Sequence, residues 1–301
     1  MLSCHQTFFC QEGLNCYELF FFAYSNRPTF KMEDIQYIYK KVQNLYAYDP
    51  GDYRMFVEDR ALCAVTDGYD IWADTPMILN RYAKYISYSQ GKSEDQLFWL
   101  LNPITKMKTV FNLIRLKYVI PTLYEDTNLY TMPLKPLPRM KLMSDCEVIP
   151  KGEDIIPLLF KEDFDPSRKL YLENPPDPAP ISNKIAGAVS WLDLSPDKIE
   201  ITADTPSSAI LLVTDNYSRG WKAVPLSNDS QSKYQVLPAD YFLRGIPLGP
   251  GHHHFLMEYR PISFEIGKWV AVIAWALYLI ALYLSWKTIK LSPTGKWEKT
   301  Q

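Results

Sequence analysis

An uncharged apolar run at positions 269–286, WVAVIAWALYLIALYLSW, constrains this chain more than any other feature of its sequence. As an α-helix rising about 1.5 Å per residue, the run would reach about 27 Å, close to the thickness of the hydrocarbon core of a bilayer. Trp269 and Trp286 bracket the run, as aromatic side chains do at the two membrane surfaces. A buried core helix is the alternative, but the run is too long and too uniformly apolar for an amphipathic helix. We therefore predict a transmembrane helix over residues 264–288, with the lipid bilayer as a partner.

The flanking charges predict how this helix is oriented. Four lysines follow the run between positions 287 and 299, whereas the equal stretch before it holds Arg260 and Lys268. By the positive-inside rule, residues 289–301 form a cytoplasmic tail and the bulk of the chain lies outside the cytoplasm. Residues 1–26 contain no Lys or Arg, and therefore no positively charged signal-peptide region. We expect the chain to be the C-terminal part of a longer polytopic protein whose upstream helices export this domain.

The hydrophobic patterns before the span predict an α+β fold with two extracytoplasmic parts. Residues 17–173 alternate strand-like and helix-like patterns, which is typical of a mixed α/β domain. The segment 174–180, NPPDPAP, has four prolines in seven residues and is predicted to be a stiff linker or a domain boundary. Residues 181–263 show short strand patterns about every 8–12 residues, the rhythm of an antiparallel β-sandwich, here of the jelly-roll kind. These patterns include 188–194, 198–203, 209–215, 221–224 and 253–259.

Charge and residue types argue against several functional classes. The chain has 32 Lys and Arg against 34 Asp and Glu, a formal charge of −2, which argues against a nucleic-acid partner. Its five cysteines include no Cys-x-x-Cys pair, and the run His252-His253-His254 lacks a third ligand with its own spacing. We therefore assign no metal and no cofactor. No Gly-x-Ser-x-Gly motif occurs and the acidic residues form no persuasive pair, so we assign no catalytic residue.

Two segments close to the span carry a family resemblance. Residues 211–223, LLVTDNYSRGWKA, combine an apolar strand, a tyrosine-containing turn and Gly-Trp-Lys-Ala. Residues 242–261, FLRGIPLGPGHHHFLMEYRP, add a Pro-x-Gly turn, a histidine-containing strand and a Tyr-Arg-Pro ending. In order and spacing the chain resembles the C-terminal portion of the bacterial YfhO-like membrane proteins, over about residues 17–290. Arg219 stands where that family commonly has a proline, and residues 1–16 match nothing in it.

The resemblance implies a polytopic protein of the bacterial cytoplasmic membrane, with a membrane core like that of the GT-C glycosyltransferases. Such proteins look like enzymes that take a sugar from a polyprenyl-phosphate donor. This chain would then assist transfer of that sugar to a cell-envelope glycan. The catalytic acidic residue of that class lies in an early loop of the membrane core, so we expect no catalysis by this chain alone. The alternative is a membrane-anchored cell-surface binding or scaffold module without enzymatic activity.

Four residues of the matched segments are candidates for ligand binding. Tyr217, Trp221 and Tyr241 have rings that can stack on a sugar, and Arg244 can grip a phosphate. The other interpretation is structural, because Trp221 follows Gly220 at a tight turn and suits the core of a sandwich.

Overall fold

The computed structural model describes residues 21, 40, 43–45, 47–57, 68–71, 78–92, 108–120, 130–131, 135–181, 187–227 and 229–291. The chain divides into one unit of residues 1–51 and 59–68 and another of residues 52–58 and 69–301. In the first unit, residues 40, 43–45, 47 and 48 are helical. The unmatched segment 1–16 lies outside the described residues. The second unit is a mixed α+β fold built mostly of sheets.

A three-stranded sheet opens the second unit. Its strands, in spatial order, are β1 (Arg54–Val57), β2 (Leu116–Ile120) and β3 (Tyr130–Thr131). β1 and β2 are parallel, and helix α1 (Asn80–Gln90) and the 3₁₀ turn Thr109–Ile114 lie between them in the chain. Helix α1 buries Tyr82, Tyr85 and Ile86 because positions three or four apart share one helical face.

Ten further strands form two larger sheets. They are β4 (Met140–Met143), β5 (Cys146–Val148), β6 (Leu170–Leu172), β7 (Ala188–Ser195), β8 (Lys198–Thr205), β9 (Ala209–Val213), β10 (Trp221–Pro225), β11 (Leu237–Ala239), β12 (Leu243–Leu248) and β13 (Gly251–Tyr259). One sheet has the order β4-β9-β12-β11-β6-β5 and the other has the order β10-β13-β8-β7. The four-stranded sheet is antiparallel throughout, whereas β5 and β6 of the six-stranded sheet are parallel.

The six-stranded sheet continues across the segment that the sequence predicts as a linker. Strands β4, β5 and β6 precede residues 174–180, and β9, β11 and β12 follow them. β4 pairs with β9, and β6 pairs with β11 at Leu172 and Ala239. Strands from the two sides of 174–180 therefore share hydrogen bonds, whereas the sequence placed a boundary there. Pairing between strands so far apart leaves no local signal in the sequence.

Strand β9 lies between two hydrophobic cores. Ala209, Leu211 and Val213 pack into one core with side chains of β8 and β13 from the other sheet. Ile210 and Leu212 pack into a second core with side chains of α1, β1 and helix α2 (Ile155–Leu159). All five side chains of β9 are therefore buried, which explains why its sequence, AILLV, is apolar throughout.

A long apolar helix, α3 (Ile262–Leu291), ends the described chain. By length and composition, its segment Ile262–Lys287 can cross a membrane, and none of that segment is buried against the rest of the chain. Trp269 and Trp286 are both exposed on this helix. Only Arg260 and Pro261 separate α3 from β13, so the end of the four-stranded sheet adjoins the start of the helix. This arrangement suggests membrane association.

A buried carboxylate joins the three-stranded and six-stranded sheets. Asp215, two residues after β9, accepts hydrogen bonds from Arg54 of β1 at 2.7 Å, from Arg115 at 2.9 Å and from Arg139 at 3.0 Å. Arg115 immediately precedes β2, and Arg139 immediately precedes β4. Burial would raise the pKa of Asp215, but the field of the surrounding guanidinium groups holds it well below its usual range. The carboxylate is therefore charged over the whole physiological range.

Loss of the Asp215 charge is expected to destabilise the second unit. Asp215→Asn removes the one carboxylate that the three guanidinium groups share, which should lower the free energy of unfolding by about 3 kcal/mol. Asp193→Asn is the matched control, because the Asp193 side chain is 47% exposed and bonds only Arg139 among the described residues. That control should cost less than about 1 kcal/mol. Urea unfolding of the full chain in detergent micelles measures both, and equal losses would refute the central role of Asp215.

The membrane assignment of α3 makes a separate prediction. Leu277→Arg combined with Ile280→Arg places two charges near the middle of the helix, each costing about 2.5–3.5 kcal/mol on insertion. This variant should move from the membrane pellet to the supernatant on alkaline carbonate extraction. Ile262→Arg, at the first residue of α3, is the control and should stay in the pellet. Extraction of the wild-type chain under the same conditions would count against a spanning helix.

Candidate functional site

A cleft lies beside Trp221, at the end of the four-stranded sheet that precedes α3. Trp221, the first residue of β10, pairs with Tyr259, the last residue of β13. The backbone N–H of Arg260 donates to the carbonyl oxygen of Gly220 at 2.7 Å and fastens this end of the sheet. A side chain at position 220 would collide with the Tyr259 ring, because an added Cβ would lie 2.5 Å from it. The close approach of this ring therefore explains the glycine at position 220.

Two neighbouring cavities form the cleft, which we name the Trp221 cleft. The larger, of about 680 Å³, is lined by Tyr217, Arg219, Trp221, Lys222 and Tyr234, together with residues 174–175, 223 and 235–237. The smaller, of about 370 Å³, shares Asn174, Tyr217 and Arg219 with the larger one and adds Arg81 and Glu173. Tyr217 and Arg219 thus stand between the two cavities.

Arg244 supports Trp221 from inside the protein. Its guanidinium carbon lies 3.7 Å from the centroid of the Trp221 ring, in cation–π contact, and its Nε donates to the carbonyl oxygen of Asn216 at 2.8 Å. Burial lowers the pKa of Arg244 to about 10, and the side chain is still charged at neutral pH. Arg244 is only 5% exposed, so it positions the ring and does not line the cleft.

Arg81 of α1 supports the other aromatic side of the cleft. Its guanidinium carbon lies 5.5 Å from the ring centroid of Tyr217 and 5.0 Å from that of Tyr241. It also forms a two-point ion pair with Glu173 and donates to the carbonyl oxygen of Tyr241 at 2.7 Å. Tyr241 is buried and lines neither cavity, so it lies behind the cleft wall. Its backbone φ is positive, 71°.

The structure therefore separates the four residues that the sequence singled out. Tyr217 and Trp221 line the cleft, whereas Tyr241 and Arg244 are buried and hold the lining in place. Trp221 is half-buried and also packs against the core, so the structural interpretation and the binding interpretation both describe part of its surroundings.

Sequence reasoning missed three cationic side chains of the cleft. Arg219 and Lys222 flank Gly-Trp in the chain, and their proximity to Trp221 could have drawn attention to them. Alternation along a strand would put Lys222 on the face opposite Trp221, but β10 is an edge strand and both residues reach the cavity around that edge. Arg81 comes from a helix remote in sequence and left no signal near Trp221.

Tyr234, on the wall of the larger cavity, belongs to a buried hydrogen-bond network. Its hydroxyl donates to Asp229 at 2.5 Å and also lies 2.8 Å from Nδ1 of His253. Nε2 of His253 lies 2.8 Å from the carbonyl oxygen of Gly249, which only accepts, so Nε2 carries a hydrogen. The network cross-links the cavity wall to β13.

The three consecutive histidines divide between the two faces of β13. His252 lies 2.7 Å from a carboxylate oxygen of Asp204, and His254 lies 2.8 Å from one of Glu200. His253 is fully buried on the opposite face. Within the described ranges, no group of three or more His, Cys, Asp or Glu side chains is placed to hold a metal ion.

Comparisons with protein-family models, curated proteins and solved structures found no match to this chain. We therefore infer the function of the chain from the geometry of the Trp221 cleft.

A buried acid behind the cleft predicts a pH-dependent stability. Burial raises the pKa of Asp240 to about 7, although its Oδ1 accepts a hydrogen bond from the Tyr171 backbone N–H at 2.8 Å. The folded chain thus retains a proton that the unfolded chain loses above the ordinary value of 3.8. Stability should fall as pH rises from about 4 to about 7.

Asp240→Asn should remove this dependence and raise the melting temperature above that of the wild type at pH 8, with the difference vanishing toward pH 4. Thermal unfolding of the full chain across this pH range makes the comparison. Asp163→Asn, at an exposed position, is the control and should not reproduce the effect. Parallel pH profiles for Asp240→Asn and wild type would rule out ionisation of Asp240 as the cause.

Proposed function

We propose that this chain is the extracytoplasmic domain and last membrane helix of a YfhO-like polytopic protein of the bacterial cytoplasmic membrane. In this proposal it assists transfer of a sugar from a polyprenyl-phosphate donor to a cell-envelope glycan and is not catalytic alone. The observation that carries the proposal is the Trp221 cleft, an aromatic and cationic cavity at the end of the sheet that leads into α3. Residues 289–301 are then the cytoplasmic tail.

The composition of the cleft supports a sugar ligand. Aromatic faces stack on the apolar faces of sugar rings, and Trp221 and Tyr217 are aromatic side chains that line the cleft and are each supported by an arginine. Arg244 fixes the Trp221 ring and Arg81 lies against the Tyr217 ring, so both platforms are preorganised. In keeping with this proposal, the four-stranded and six-stranded sheets bury side chains in a common core, as the sheets of a jelly-roll-like β-sandwich do.

A second candidate is a membrane-anchored binding or scaffold module without chemistry. The lining supports it, because aromatic and cationic side chains such as Tyr217, Trp221 and Arg219 can bind a ligand without taking part in chemistry. Binding and transfer assays separate the two candidates. Transfer of sugar in membranes that contain the natural full-length product supports the first, and binding without transfer supports the second.

Replacement of the aromatic platform tests the proposed ligand class. Trp221→Ala should weaken binding of a polyprenyl-phosphate sugar to the detergent-solubilised full chain about fivefold to tenfold, because one stacking contact contributes about 1 kcal/mol. Equilibrium binding of a radiolabelled donor provides the measurement. Trp191→Ala is the matched control, since Trp191 packs against the same core from β7 and lines neither cavity.

The control should retain wild-type affinity. Trp221→Phe, which keeps an aromatic ring, should lose less than Trp221→Ala and guards against a loss caused by misfolding. An equal loss in Trp191→Ala, or no measurable binding by the wild type, would contradict the proposal.

A further inference from the structure

The Trp221 cleft carries positive charge that its own lining does not neutralise. Arg219 and Lys222 are exposed side chains of the larger cavity, whose lining contains no Asp or Glu. Among the described residues, neither has a carboxylate within 4 Å, whereas Arg81 in the smaller cavity is paired with Glu173. The chain as a whole has a formal charge of −2, so two unpaired cations in one cavity are a local property of the cleft.

Two other cations near the start of α3 are paired. Arg260 lies 3.1 Å from the carboxylate of Glu258, and Lys268 lies 2.7 Å from that of Glu265. Arg219 and Lys222 differ from these two cations, because neither forms an ion pair among the described residues. An anionic group that binds here meets two cations and pays no cost for breaking an ion pair.

With α3 across a bilayer, the Trp221 side of the cleft is close to the start of the span, because only two residues separate Tyr259, the partner of Trp221, from α3. The candidate span Ile262–Lys287 has 26 residues, which corresponds to about 39 Å of helix. The hydrocarbon core is about 30 Å thick, so about 9 Å of the helix lies in the headgroup layers. Trp269 marks the upper surface, and the turns from Ile262 to Lys268 then cross the headgroup layer and bring the Trp221–Tyr259 end of the sheet to the lipid phosphates.

We propose that the Trp221 cleft binds the phosphate of an anionic phospholipid from the leaflet in which α3 is anchored. Arg219 and Lys222 hold the phosphate, and the rings of Tyr217 and Trp221 pack against the polyhydroxyl part of the headgroup. This rests on the proposed function in one respect, the placement of the cleft beside a bilayer. The bound lipid seats the soluble domain on its own membrane, with the cleft facing the leaflet.

Native mass spectrometry of the full chain in detergent, titrated with phosphatidylglycerol, tests the proposal. Arg219→Gln and Lys222→Gln should each weaken lipid binding about fivefold, since one basic residue near a charged surface contributes about 1 kcal/mol. The double variant should weaken it about thirtyfold. Arg260→Gln and Lys268→Gln are matched controls, equally close to the bilayer but paired with glutamates, and should change binding less than about twofold.

Each competing result overturns a specific part of the proposal. Equal losses in the controls would mean general surface attraction and no site in the cleft. Equal affinity for phosphatidylcholine would exclude recognition of net negative charge. Displacement of the lipid by inorganic phosphate or glycerol phosphate at similar concentrations would identify a site for free phosphate. No sugar enters this assay, so it is independent of the donor-sugar assay. If the chain binds the donor sugar but not the phospholipid, this inference alone is refuted. If it binds the phospholipid but not the donor sugar, the proposed function alone is refuted.

Discussion

The carboxylate of Asp215 is the constraint on which the rest of the fold depends. It draws guanidinium groups from β1, from the residue before β2 and from the residue before β4 to one point. Three like charges so close together would repel strongly without it. The same turn continues into Asn216, whose carbonyl oxygen receives Arg244, and into Tyr217 on the cleft. One buried charge therefore fixes both the junction of the two sheets and the turn that leads into the Trp221 cleft.

Preorganisation of the cleft comes from two arginines held on regular elements rather than from rigid loops. Arg244 lies under the Trp221 ring, and Arg81 lies between the Tyr217 and Tyr241 rings while its own charge is balanced by Glu173. These side chains are anchored on β12 and α1, so the lining is held from regular elements. A ligand entering the cleft meets aromatic surfaces whose ordering has already been completed in folding.

The sequence predicts local elements better than their assembly. Apolar and alternating patterns located β8, β9 and α3 to within a few residues, because an element that is uniformly apolar or apolar on one face shows a regular spacing of apolar residues in the sequence. Pairing of β4 with β9 across a proline-rich segment left no such period, since it depends on residues about seventy positions apart. In the cleft, Tyr217 and Trp221 were found through their local motif. Arg81 could not be predicted as part of the cleft, because the sequence does not show which helix packs beside a distant turn.

The central position of β9 has a consequence for the order in which the chain can fold during synthesis. Its partners are β4, some seventy residues earlier, and β12, which ends at Leu248. Neither core that β9 divides can close before Leu248 has left the ribosome, and α3 begins only fourteen residues later. The second unit therefore completes its folding while the apolar helix α3 is being synthesised, so slow pairing of β12 would leave unpaired strand edges beside an exposed apolar helix.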